Sequence, residues 1–218
     1  CTRKDAPQYA SITIDGFKIT PSTEITFLGV KVQSDLRWIN HIDSVCRRIR
    51  SAAGHIRSDG RLFSITDIKR MLFSGWILGL INSNGLVYLP SATKTELHDL
   101  QTAMNAGIRA VVGIPRYGYA EVSSIRKKLN LPSVIDIKNR ITSVAAWKKF
   151  SSSVHADNLS GPLTRTRNNR NIPLPDLRGH RGKITVSALT SAWNNLPLTT
   201  KNLKTLNSLK FNVKKLFR

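Results

Sequence analysis

Glu96 and Asp99, with His98 between them, are the nearest acidic neighbours in this 218-residue chain. Two carboxylates three residues apart share a face of a helix, which is the least from which a cation or acid–base site can be built. Phosphoryl transfer asks for more, two metal ions held by clustered carboxylates, and no two acidic residues are adjacent anywhere in the sequence. Acids in the first turn of a helix ordinarily complement its dipole, and that is the reading taken for this pair. No Gly-x-Ser-x-Gly elbow and no glycine-rich phosphate loop is present. The two cysteines, Cys1 and Cys46, and the five histidines (His41, His55, His98, His155, His180) show no Cys-x-x-Cys or His-x-x-x-His spacing, so neither a disulfide framework nor a zinc site is expected. Neither catalytic nor metal-ligating residues are assigned.

The basic residues make the stronger case. Lys and Arg number 34 against 13 Asp and Glu, a net charge of +21. Such a surplus repels itself in a compact fold and is usually offset by a polyanion. Arg47, Arg48, Arg50 and Arg57 fall on a predicted helix whose other side is apolar, so they are expected to project together into solvent. Arg178, His180, Arg181 and Lys183 form a second cluster among glycines, where backbone can approach a phosphate. Either cluster could instead be a solvated face. After Asp176 no acid remains, while nine Lys or Arg follow, which suggests a basic tail module. Trp38, Trp147 and Trp193 have the chemistry to stack on bases, but at helical spacing a core role is the commoner one. No groove-entering motif is visible, so base readout is not assigned.

These residues need elements to position them. Ser11 to Ile14, the Asp15-Gly16 turn and Phe17 to Ile19 read as a hairpin. Glu24 to Val32 reads as a third strand whose alternation slips: Ile25 and Phe27 share one face, Leu28, Val30 and Val32 the other. A slip beside Gly29 implies a bulge or a tight turn. From Asp35 the period becomes helical, with Ile39, Ile42, Val45, Ile49, Ala52 and Ile56 as one stripe, ended by Asp59-Gly60. Ser64 as cap, Asp67 three residues on and Phe63 stapled to Ile68 start a second helix. It runs to about Ile81, apolar nearly all round and therefore central, before Asn82 to Gly85 turn the chain. Its apolar run, Met71 to Ile81, falls short of the ~20 residues a bilayer span needs. A third helix from near Thr93 to Val112 buries Leu97, Leu100, Met104, Ile108 and Val111, and Gly113 and Pro115 stop it. A short helix carries Val122, Ile125 and Leu129. Ser133, with Asp136 at N3, caps a fifth, which buries Val134, Ile137, Ile141 and Val144. Residues 151–181 have no sustained period and read as a cationic linker. Helices around Ile184 to Leu196 and Leu206 to Phe217 close the chain.

Ile25-Thr26-Phe27-Leu28-Gly29-Val30, followed by Leu36-Arg37-Trp38-Ile39-Asn40-His41-Ile42, resembles the palm-to-thumb passage of LINE-type (non-LTR retrotransposon) reverse transcriptases of the jockey-like and chicken-repeat-like groups. Leu97 to Arg116, with Leu100-Gln101, Asn105, Arg109 and Gly113-Ile114-Pro115-Arg116, is similar to their later thumb. Gly179-His180-Arg181-Gly182-Lys183, Trp193 to Pro197 and Leu209-Lys210-Phe211 through Phe217 resemble their ending. The resemblance implies a primer grip at Phe27, Leu28 and Gly29, a thumb clasping the duplex, and partners that are RNA template, DNA primer or RNA–DNA hybrid. The family's aspartate-pair strand, fingers, endonuclease and terminal Cys/His knuckle have no counterpart in this sequence. The Mg²⁺ of the parent polymerase would therefore lie outside it, and no cofactor is expected within it.

The expected fold is α+β and mainly α: residues 1–33 a short β ribbon, 34–152 a helical thumb-like bundle, 153–181 a flexible basic linker, 182–218 a helical hairpin. The expected function is template–primer binding by a piece of an RNA-directed DNA polymerase that does not itself catalyse. With no initiator Met or signal sequence, an internal piece of a longer frame is expected. It would meet the missing palm and fingers of its parent, intracellularly and in the nucleus, without a membrane. A basic helical RNA-binding or ribosome-associated protein unrelated to polymerases is the alternative, and a decayed element copy without function a third.

Overall fold

The computed structural model describes residues 11–20, 22–58, 66–115, 118–155, 171–172 and 182–217. It is mainly helical, with a short β ribbon first, as the periodicities imply. β1 (Ile12–Ile14) and β2 (Phe17–Ile19) pair antiparallel through Asp15-Gly16. β3 (Glu24–Phe27) and β4 (Val30–Gln33) do the same through Leu28-Gly29. The single strand expected over Glu24 to Val32 is thus a two-residue hairpin. This explains the slip in alternation. The turn folds the strand back, so Ile25 faces Val32 and Phe27 faces Val30 across the pair, and all four lie on one face.

α1 (Ile39–Ser58) buries Ile42, Val45, Cys46, Ile49, Ala53 and Ile56. Ile39, expected in this stripe, is half-exposed at the helix start, where no packing turn precedes it. α2 (Thr66–Leu72), a π-helical turn (Phe73–Leu78) and α3 (Gly79–Ser83) form one continuous rod. The Ser64 cap and Phe63 staple lie outside the described residues. Asn84 then bends the rod by 46° into a further helical segment instead of reversing it: α4 (Gly85–Tyr88) and a 3₁₀ turn (Leu89–Ser91) follow. α5 (Lys94–Val111) lies along α1. At Gly107 the close approach of the rod leaves no room for a side chain: an added Cβ would collide with Ile77 Cδ1 and press on Phe73.

α6 (Val122–Lys128) and α7 (Val134–His155) complete the first bundle. The Ser133–Asp136 cap forms as expected, with Ser133 N–H donating to Asp136 Oδ2 at 2.7 Å and Asp136 N–H to Ser133 Oγ at 3.1 Å. α7 changes allegiance along its length. Val134 and Ile137 pack into the core of α1 and α5, whereas Ala146, Trp147 and Phe150 pack into a second core with Trp193, Leu196, Leu209 and Val213. These come from α8 (Gly182–Asn194), a one-turn α9 (Leu198–Lys201) and α10 (Leu206–Leu216). Helix α7 runs to His155, three residues past the boundary expected at 152/153. Beyond His155, only Asn171 and Ile172 of the expected linker are described. The Asn194 side-chain amide brackets Ile172, accepting its N–H and donating to its carbonyl, both at 2.8 Å. Lys201 Nζ, almost fully buried, donates to Asn171 Oδ1 at 2.8 Å.

Among the described residues no single helix is long and apolar enough to cross a membrane. The bent pair Thr66–Ser83 and Gly85–Ser91 reaches that composition jointly, and its Phe73, Ile77, Ile81, Tyr88 and Leu89 are core.

Candidate nucleic-acid interface

The Leu28-Gly29 turn has φ of +48° and +79°, the left-handed pair that a type I′ hairpin demands. The first hairpin meets this demand with Asp15-Gly16 at +48° and +80°, residue types that suit it. The second places leucine there, at a cost of about 1–2 kcal/mol for a side chain with no local hydrogen bond to offer. Leu28 is 81% exposed, so packing does not repay that strain. Ile25 and Phe27 beside it are also exposed, while Val30 on the partner strand is buried against α1.

The hairpin is fixed to the bundle at several points. His41 Nδ1 accepts Lys31 N–H at 3.3 Å, Glu24 holds Lys31 Nζ at 3.0 Å, and Asn40 Nδ2 donates to Glu24 Oε2 at 2.6 Å. The Asn40 and Lys31 bonds keep the Glu24 carboxyl below its ordinary range. At the tip, Asn84 Nδ2 donates to Leu28 O at 3.4 Å. Burial, with Arg48 and Lys31 nearby, holds His41 below the usual histidine range; its ring stands edge-on to Tyr88 at 4.9 Å between centroids. Cys46 is buried and pushed up to about 11 by burial, an unreactive thiol.

From Ser83, the residue before Asn84, a groove of about 620 Å³ runs between α1 and the rod. Arg48 and His55 of α1, Gly75 and Trp76 of the π-helical turn, and Gly79 and Ser83 of α3 line it. The wider π turn carries Phe73 and Ile77 into the core and leaves Trp76 between them, 42% exposed. Gly75 and Gly79 keep the wall beside it bare. An indole face, a guanidinium and a thin wall can stack a base and hold a phosphate, and among the described residues no carboxylate lines the groove.

The four arginines of α1 do not share one face. Successive residues turn by about 100°, so Arg47 opposes the core stripe, Arg48 turns to the Trp76 groove, and Arg50 and Arg57 lie on the flank of Cys46 and Ala53. Arg47 is paired with Asp43 at 3.0 Å, both well exposed. Arg50 is exposed, and Arg57 is half-buried with its Nε enclosed and without a hydrogen-bond partner. Arg178, His180 and Arg181 lie outside the described residues, and of Lys183 only the backbone, within α8, is described. Trp193 is fully buried, Trp147 is partly buried, and Trp38 donates from Nε1 to Ser91 Oγ at 2.7 Å. Trp76, absent from the residues singled out by sequence, is the exposed indole.

Of the acidic pair, Glu96 has a structural role, while Asp99 is exposed. Glu96 is buried in a capping box, accepting Thr93 N–H at 2.7 Å and donating its own N–H to Thr93 Oγ1. Among the described residues no three His, Cys, Asp or Glu are grouped to hold a metal. No family model, no curated protein and no solved structure matches the chain.

Proposed function

We propose that this chain binds a template–primer duplex as the carboxy-terminal part of a LINE-type reverse transcriptase, the hairpin tip at Phe27-Leu28-Gly29 meeting the primer end. The carrying observation is the strained, solvent-facing Leu28-Gly29 turn, tied to Asn84, whose neighbour Ser83 lines the Arg48–Trp76 groove. Strain that the fold does not use is best explained by a ligand that does. The template–primer then lies along the groove, with Trp76 against an unpaired base of the single-stranded template and Arg48 against the backbone. The exposed apolar side chains Ile12, Ile14, Phe17, Ile19 and Ile25 support the same reading as the surface where the parent's palm continues. Phosphoryl transfer and its Mg²⁺ belong to that missing part.

Binding of a labelled RNA–DNA hybrid across a salt series tests this. Neutralising ~5–8 phosphates gives a slope of log K against log salt of about −5 to −7. A flat dependence, or no binding at low salt, overturns the reading. The chain alone extends no primer with Mg²⁺ or Mn²⁺; template-dependent incorporation above a no-protein control would contradict that assignment of roles.

A further inference from the structure

A second cationic surface lies away from α1, between α7 and α10, in a shallow trough of about 420 Å³. Its floor is aliphatic: Leu86 of α4 with Ile141 and Val144 of α7. Arg140 and Lys148 of α7 rim one side and Lys210 and Lys214 of α10 the other. Arg140 and Lys214 also line the adjoining cleft with Arg70, extending the cationic strip. Among the described residues no carboxylate and no aromatic ring lines the trough. Four like charges around one apolar floor repel one another, and an anionic occupant relieves this.

The floor decides which anion. It offers neither a ring for a base to stack on nor polar groups to meet base edges, in contrast to the Trp76 groove. It does offer aliphatic surface between two packed helices, where a third helix can seat its ridge, with lysine stems lying along its flanks. We propose that the α7–α10 trough docks an acidic amphipathic helix of a partner protein, its leucine-type side chains on Leu86, Ile141 and Val144 and its carboxylates on Lys148, Lys210 and Lys214. This stands independently of the nucleic-acid reading, which uses a different groove.

The probe is a labelled helical peptide of leucine and glutamate, about 18 residues long, with leucines on one face, against a scrambled peptide of the same composition. The full chain is expected to bind the amphipathic peptide about tenfold more tightly than the scrambled one. Leu86→Asn, which leaves every charge in place, is expected to weaken the amphipathic peptide about threefold or more while leaving hybrid affinity unchanged. The triple variant Lys148→Glu, Lys210→Glu, Lys214→Glu is expected to abolish peptide binding at an unchanged melting temperature. Equal affinity for both peptides, or an undiminished affinity in either variant, overturns the proposal. So does displacement of the peptide by an oligonucleotide at an affinity that the triple variant loses in parallel, since the trough would then be a nucleic-acid track.

Discussion

Leu28→Asn separates strain held for a ligand from strain held for the fold. Leucine at φ +48° costs about 1–2 kcal/mol, and asparagine is among the residues that a type I′ turn prefers at this position. Relief of about 1 kcal/mol raises the melting temperature of a domain this size by about 2–4 °C. The Asn84 bond is retained, because it is made to the backbone carbonyl of residue 28. The exposed side chain, in contrast, is lost as a contact. Covering a fully exposed leucine is worth roughly 1.5–3 kcal/mol, so partial cover by a ligand is worth about 1 kcal/mol, or a ~5-fold weaker Kd. The assay pairs calorimetric melting with fluorescence anisotropy on an RNA–DNA hybrid. Higher stability with weaker binding is the expected pattern. A variant that melts earlier shows Leu28 to be structural, and one that binds as tightly as the parent removes the hairpin tip from the interface; either refutes the reasoning.

The remaining expectations are simpler. Gly107→Ala drives a methyl into Ile77 and Phe73 and is expected to cost about 1–3 kcal/mol, read as a lower denaturation midpoint. His41 is held below its ordinary pKa by burial, so the unfolded chain takes up its proton first. Its contribution to stability is complete above the unfolded pKa and is lost as pH falls from there towards the folded value. Melting from pH 8 down to 5 (about the histidine range) is expected to show this loss, reduced in His41→Gln. Arg48→Gln is expected to weaken hybrid binding and shrink the salt slope by about one, whereas Arg57→Gln is expected to change melting rather than binding, which affinity and Tm on the same two proteins resolve.

Much of the scaffold was legible because its signals are local. The Asp15-Gly16 hairpin, the Ser133–Asp136 cap and the α1 stripe each depend on residues within a turn or two of one another. The break in alternation around Gly29 marked the second hairpin, though not its two-residue length. Trp76 is not legible because its helix reads as apolar nearly all round and therefore central, whereas the π turn leaves the indole partly exposed. Ser74-Gly75 and Gly79 flanking the indole were the available sign. The two halves of α7 bury opposite faces against two cores, which no single helical stripe can express. The arginines of α1 looked like one cluster because adjacency in sequence was read as adjacency in space. Arg47 and Arg48 are neighbours in the chain yet about 100° apart around the helix.

Trp76→Ala tests the central claim most directly, with parent and variant titrated against one RNA–DNA hybrid carrying a single-stranded template overhang over the same salt series. Stacking on a base is worth about 1–3 kcal/mol and is not ionic, so affinity is expected to fall by about 5- to 150-fold at every salt concentration with the slope unchanged. The melting temperature should stay within the ordinary range for a surface change, about 0.5 kcal/mol. Unchanged affinity in a folded Trp76→Ala protein would contradict the account.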